Sequence, residues 1–172
     1  MTAPILVFGI GNESRGDDAL GPLLVRDIQS WSETAGLAGQ VEVLEDYQLQ
    51  VEHVTDLLER SAVLFVDADV SCAEPFELSE VSAERNGSYT SHAMNPAALL
   101  HAYRLVYGVE SPPGFTLRIR GHDFALGQPL SERATANLQG AIRLAAELCR
   151  TESPHEWRCI GRKLAVTGIV TE

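Results

Sequence analysis

The chain has 172 residues, 45% hydrophobic and 22% charged, with a formal net charge of −11 at pH 7. Its length is most simply one domain, 1–172, able to bury roughly 70% of its unfolded surface. The acidic balance argues against nucleic acid and anionic membrane as partners, which need a basic face, and is consistent with a cytoplasmic protein or one that handles cations. The three cysteines, Cys72, Cys149 and Cys159, are widely spaced and form no CxxC pair, so each is expected to be a buried or incidental thiol. No basic stretch followed by an apolar one opens the sequence, and no apolar run approaches the ~20 residues needed to cross a bilayer.

Taken in order, Ile5 to Gly9 is an unbroken apolar run, the pattern of a strand buried on both faces. It ends in a Gly9-Ile10-Gly11 turn and an acidic pair, Asp17 and Asp18. Leu20, Leu23, Leu24, Ile28 and Trp31 then recur at helical spacing, with Pro22 suited to the first turn. Val41 to Leu44 reads as a second strand, and Val51, Val54, Leu57 and Leu58 as a second helix. Ala62 to Asp67 is a third, fully apolar strand, and Phe76 to Val81 a weakly alternating fourth. Asn86-Gly87 marks a turn. Asn95-Pro96 has the chemistry of an N-cap and first helical position, and its helix runs to about Tyr107. Phe115 to Arg120 alternates as a half-covered strand. Ser131 is an N-cap candidate for a helix with Ala134, Leu138, Ile142, Ala145 and Leu148 on its apolar face. Beyond Thr151, Ser153-Pro154 reads as a break, and Leu164 to Val170 as a small strand or a docked tail.

This alternation predicts an α/β three-layer sandwich, a mostly parallel twisted sheet of about five strands with helices on both faces. Such sheets place their sites outside the carboxyl ends of the strands. Asp18 follows the first strand, Asp67 ends the third, and His92 follows the fourth, so three loops can bring them to one edge. Two carboxylates and an imidazole suit a divalent transition metal such as nickel or zinc. The plainer alternative is that Asp17 or Asp18 caps the following helix, with Asp17 the better candidate. In that reading Asp67 caps a turn and His92 bonds within a loop. The first loop carries acids where a phosphate cradle offers amides and a Lys, so it does not match a nucleotide-binding loop. Ser91 lacks a Gly-x-Ser-x-Gly elbow, and Ser14 and Ser131 lack a neighbouring base. His53 and His101 are expected on helices as surface or packing residues, while His122 can line a cleft.

The segments Gly9-Ile10-Gly11-Asn12-x-x-x-Gly16-Asp17-Asp18-x-x-Gly21, Val66-Asp67-Ala68 and Ser91-His92 resemble the endopeptidases that mature nickel–iron hydrogenases. Gly121-x-x-x-x-x-Gly127-x-x-Leu130-Ser131 is similar to that family's closing segment, so the resemblance spans residues 4–150 and leaves 151–172 as an extension without an assigned role. The resemblance implies an α/β domain that cleaves a C-terminal peptide from the nickel-loaded large-subunit precursor. It also implies that Asp18, Asp67 and His92 are the catalytic and metal-contacting residues. Nickel would be held by the precursor and contacted by this chain, not kept as a permanent cofactor. The chain departs from the family's pattern after Asp67, where Asp69-Val70-Ser71-Cys72-Ala73-Glu74-Pro75 lacks the usual glycine-containing turn. A non-cleaving nickel-checking chaperone for the same precursor would use the same three residues. A monomer is the default expectation.

Overall fold

Six consecutive residues, Ile5–Ile10, form a strand (β1) in which every side chain is buried, because this strand lies near the middle of the sheet with helices above and below. The computed structural model describes residues 1–83 and 94–167; the predicted turn at Asn86-Gly87 and the Ser91-His92 pair lie outside the described residues. Four further strands follow: β2 (Val41–Asp46), β3 (Ala62–Asp69), β4 (Phe76–Val81) and β5 (Gly114–Arg120). They form a sheet in the order β2-β1-β3-β5-β4. β1 pairs in parallel with β2 and β3, β3 pairs in parallel with β5, and among the described strands only β4 runs antiparallel, against β5. The expected mostly parallel α/β sandwich is the architecture found.

The helices are α1 (Leu20–Thr34), α2 (Pro96–Tyr107), α3 (Glu132–Arg150) and α4 (Pro154–Thr167). Asn95 caps α2 through its side chain, accepting from the Ala98 amide, and Pro96 occupies the first turn. Ser131 caps α3 in the same way, accepting from the Ala134 amide. One face of the sheet (Ile5, Val7, Leu64, Val66, Phe115, Leu117 and Ile119) packs against α1, α3 and α4. The other face (Leu6, Phe8, Ile10, Val63 and Phe65) packs against α2 and a 3-10 segment, Val51–Leu57.

The expected second helix is present as a 3-10 helix, Val51–Leu57. One expectation is corrected: Ser153-Pro154 opens a helix where a break was expected, and the residues from Leu164 to Thr167, expected as a small strand or a docked tail, belong to this helix, α4, which docks on the sheet. Its Trp157 is fully buried, with its ring 5.2 Å from that of Phe115 and its indole N–H donated to the carbonyls of Leu148 and Thr151. Trp157 is therefore part of the core, with Ile160 and Leu164 packed against it.

Candidate functional site

From β1 the chain crosses through α1 to β2 on one side, while β3 and the later strands lie on the other. The carboxyl ends of β1 and β3 thus flank the point where the winding reverses, the usual ligand crevice of an open α/β sheet. Asp18 and Asp67 both belong to this crevice. Asp67 stands near the end of β3. Asp18 lies in a 3-10 turn, Gly16–Ala19, that runs directly into α1. The start of α1 is pressed onto both strand ends. A Cβ built on Gly21 would stand 2.4 Å from the Ile10 carbonyl oxygen and 2.8 Å from that of Val66.

The first loop folds tightly around its glycines. Gly11 has φ +149°, and a Cβ there would stand 2.0 Å from the Asp18 carbonyl oxygen. Only glycine permits that approach. The loop then closes on itself: the Asn12 amide donates to Asp18 Oδ2 at 2.8 Å, and the Asp18 amide donates to the Arg15 carbonyl. One carboxylate oxygen of Asp18 is thus held by the backbone.

Asp17 has a different task from the helix cap expected of it. The residue before α1 is Ala19, with no side-chain cap. Asp17 instead is fully buried and accepts hydrogen bonds from the amides of His122, Asp123 and Ser131 and from the Ser131 hydroxyl. Burial pushes its pKa upward, but the hydrogen bonds from Ser131, Asp123 and His122 outweigh it and leave Asp17 more acidic than usual. This carboxylate ties the first loop to the loop after β5.

Asp67 has the opposite electrostatics. Burial raises its pKa, the charge of Asp18 raises it further, and that of Asp69 adds to this, while the Ala68 amide opposes; the result is about 7. A cation arriving between Asp18 and Asp67 would relieve this repulsion. Arg118 stands opposite Asp67 in the β3–β5 register but spends its guanidinium elsewhere, on Glu77 at 2.5 Å and Asp69 at 3.4 Å. Neither Asp69 nor Arg118 was singled out from the sequence; period-2 alternation along β3 places Asp69 on the face of Asp67, whereas Arg118 is brought there by the β3–β5 register.

His92, the third expected ligand, lies outside the described residues. Among the described residues, no three His, Cys, Asp or Glu side chains form a group able to hold a metal ion. His122 lies at the same sheet edge; its amide binds Asp17, and its ring Nε2 pairs with Glu74, which also accepts from Arg133. His53 is structural: Nδ1 accepts from the Gln50 amide, Nε2 faces Asp46 at 3.2 Å, and the ring packs edge-on against Phe8. Cys72 and Cys149 are buried, and burial pushes their thiols up to about 11 and about 12. Neither is a ready nucleophile.

No protein-family model and no curated protein matches this sequence. Solved structures do. The [NiFe] hydrogenase maturation protease HycI from Thermococcus kodakarensis KOD1 is 21% identical, with a TM-score of 0.66 over 87% of this chain and 94% of that one. The hydrogenase maturating endopeptidase HybD from E. coli is 21% identical, with a TM-score of 0.64 over 85% and 91%. The hydrogenase 2 maturation peptidase from Thaumarchaeota archaeon SCGC_AB-539-E09 is 23% identical, with a TM-score of 0.59 over 84% and 96%. Nearly the whole of each of these chains is matched, and together with the crevice geometry this shows that the protein has the fold of the nickel–iron hydrogenase maturation proteases.

Proposed function

We propose that the protein is an endopeptidase that removes a C-terminal peptide from the nickel-loaded large-subunit precursor of a nickel–iron hydrogenase. The observation that carries this reading is the carboxylate pair at the switch point of a hydrogenase-maturation-protease fold. Asp18 is held by the Asn12 amide, and Asp67 is raised to about 7 beside it. Among the described residues such a pair makes no salt bridge, and it suits a divalent ion better than a phosphate or a neutral metabolite. Nickel here belongs to the substrate. Asp18, Asp67 and His92 would complete the coordination of an ion already held by precursor cysteines, and so register that loading is complete and align the scissile peptide. A divalent ion so held can polarise a carbonyl or activate a water. Asp18 or His92 would take the proton of an attacking water. A covalent intermediate on Cys72 or Cys149 is disfavoured by the burial and raised pKa of these thiols. The Ser131 hydroxyl is committed to Asp17 and to capping α3.

The test uses nickel-loaded and nickel-free precursor incubated with the protein and weighed by mass spectrometry. Loss of a C-terminal peptide from the loaded form alone is the expected result. Binding of the loaded form without cleavage would make the protein a nickel-checking chaperone. Cleavage that persisted in Asp18→Ala, Asp67→Ala and His92→Ala would overturn the site.

A further inference from the structure

Across the sheet, Asp67 of β3, Arg118 of β5 and Glu77 of β4 stand in one register row. Neighbouring strands lie about 4.8 Å apart, so directly opposed side chains on one face are within reach of each other. Arg118 therefore has two carboxylates beside it in the row and a third, Asp69, diagonally ahead. It engages Glu77 through Nη2 at 2.5 Å and Asp69 through Nη1 at 3.4 Å. Both of those acids are themselves anchored. Asp69 Oδ1 accepts from the amides of Ser71 and Cys72 and from the Ser71 hydroxyl, and Glu77 Oε1 accepts from the Ala73 amide. The guanidinium is thereby held by Glu77 and by Asp69 at the end of β3, and among the described residues it makes no ion pair with Asp67.

We infer that Asp69 and Glu77 are positioning residues that hold Arg118 off Asp67, keeping that carboxylate free for the cation of the substrate. This rests on the proposed metal-contacting role of Asp67 and adds the device that protects it. A guanidinium is a strong bidentate partner for a carboxylate. If released, it would pair with Asp67 and occupy the oxygens that a metal needs. The backbone amides that anchor the two acids, those of Ser71, Cys72 and Ala73, all belong to the turn between β3 and β4.

The experiment compares the wild type with Asp69→Asn/Glu77→Gln and with the same pair plus Arg118→Met. Asn and Gln keep the acceptor oxygens that hold the turn while removing both charges from Arg118. Cleavage of nickel-loaded precursor should fall at least ten-fold in the double variant and return to within about three-fold of wild type in the triple variant. Restoration by removing the guanidinium is a result that mere damage to the turn would not give. A crystal structure of the double variant should place the Arg118 guanidinium within salt-bridge distance of Asp67. Wild-type-like cleavage by the double variant, a triple variant as impaired as the double, or Arg118 still turned from Asp67 would each overturn the inference. A wild type that does not cleave sinks the proposed function instead, and the crystal structure still decides the latch.

Discussion

Asp17 and Ser131 are separated by 114 positions, yet they share two hydrogen bonds: the Ser131 amide reaches Asp17 Oδ1 at 2.7 Å and its hydroxyl reaches Oδ2 at 2.8 Å. The same hydroxyl caps α3 through the Ala134 amide. One buried carboxylate therefore joins the loop that presents Asp18 to the loop after β5 and to the start of a 19-residue helix. All four groups that point at Asp17 are donors. An Asn side chain would turn its own N–H toward one of them and leave that donor buried without an acceptor. Asp17→Asn should lower stability by about 3 kcal/mol, read as a fall in the urea midpoint. The control, Ser131→Ala, removes one hydroxyl and should cost less, about 1–2 kcal/mol.

The neighbouring acids should give opposite pH signatures. Asp17 is more acidic folded than unfolded, so its contribution is present above about pH 4 and is lost as pH falls through its folded value. Asp67 is less acidic folded than unfolded, at about 7 against the ordinary 3.8. The folded state keeps that proton while the unfolded state has released it, so stability declines as pH rises from about 4 to about 7. Chemical denaturation of Asp67→Asn across this range should be nearly flat where the wild type slopes downward. The variant should be the more stable of the two at pH 8, by at most about 4 kcal/mol, since one pKa unit corresponds to about 1.4 kcal/mol. A wild type whose stability rises from pH 5 to pH 8 would contradict the raised value.

The apolar runs Ile5–Ile10 and Ala62–Val66 and the caps Asn95-Pro96 and Ser131 were legible because each is a local signal: unbroken burial, or cap chemistry beside a helical period. Asp18 and Asp67 were placed at one edge by topology alone. The role of Asp17 was not legible, because its partners, His122, Asp123 and Ser131, are more than 100 positions away and mostly backbone amides. The row Asp67, Arg118, Glu77 needed the strand order, in which β5 inserts between β3 and β4. Ser153-Pro154 carries the same chemistry as Asn95-Pro96, and the Glu156 amide does donate to the Ser153 hydroxyl. It reads as a break only because the helix behind it leaves half of its residues exposed and fully buries Trp157 alone.

That single anchor gives the next prediction. Trp157 is fully buried against Phe115, and both of its hydrogen-bond acceptors belong to the end of α3 and the residue that follows. Trp157→Ala should cost about 3–5 kcal/mol, as for other large-to-small changes in a core, and be visible as a lower midpoint in urea. Deleting residues from 152 onward should be at least as damaging, because it uncovers Phe115 and part of the β4–β5 sheet face. A truncated chain as stable as the full one would show α4 to be an appendage.

Gly11 links backbone geometry to the site most directly. Its φ of +149° is one that side-chain-bearing residues rarely adopt, and an added Cβ would lie 2.0 Å from the Asp18 carbonyl oxygen. That carbonyl is backbone and cannot swing aside; the loop must shift, and Asp18 with it. The shift also breaks the Asn12 amide bond to Asp18 Oδ2. Gly11→Ala should therefore abolish cleavage of nickel-loaded precursor while costing only about 1–3 kcal/mol of stability, since the strain is confined to one turn. Gly36→Ala serves as the contrast. It too has positive φ, +76°, but a Cβ there meets nothing within 4 Å and the turn is remote from the crevice. It should lose a little stability and retain full cleavage, read from the same urea and mass-spectrometric measurements. Equal loss of cleavage in both variants would mean that global destabilisation, not displacement of Asp18, limits the reaction.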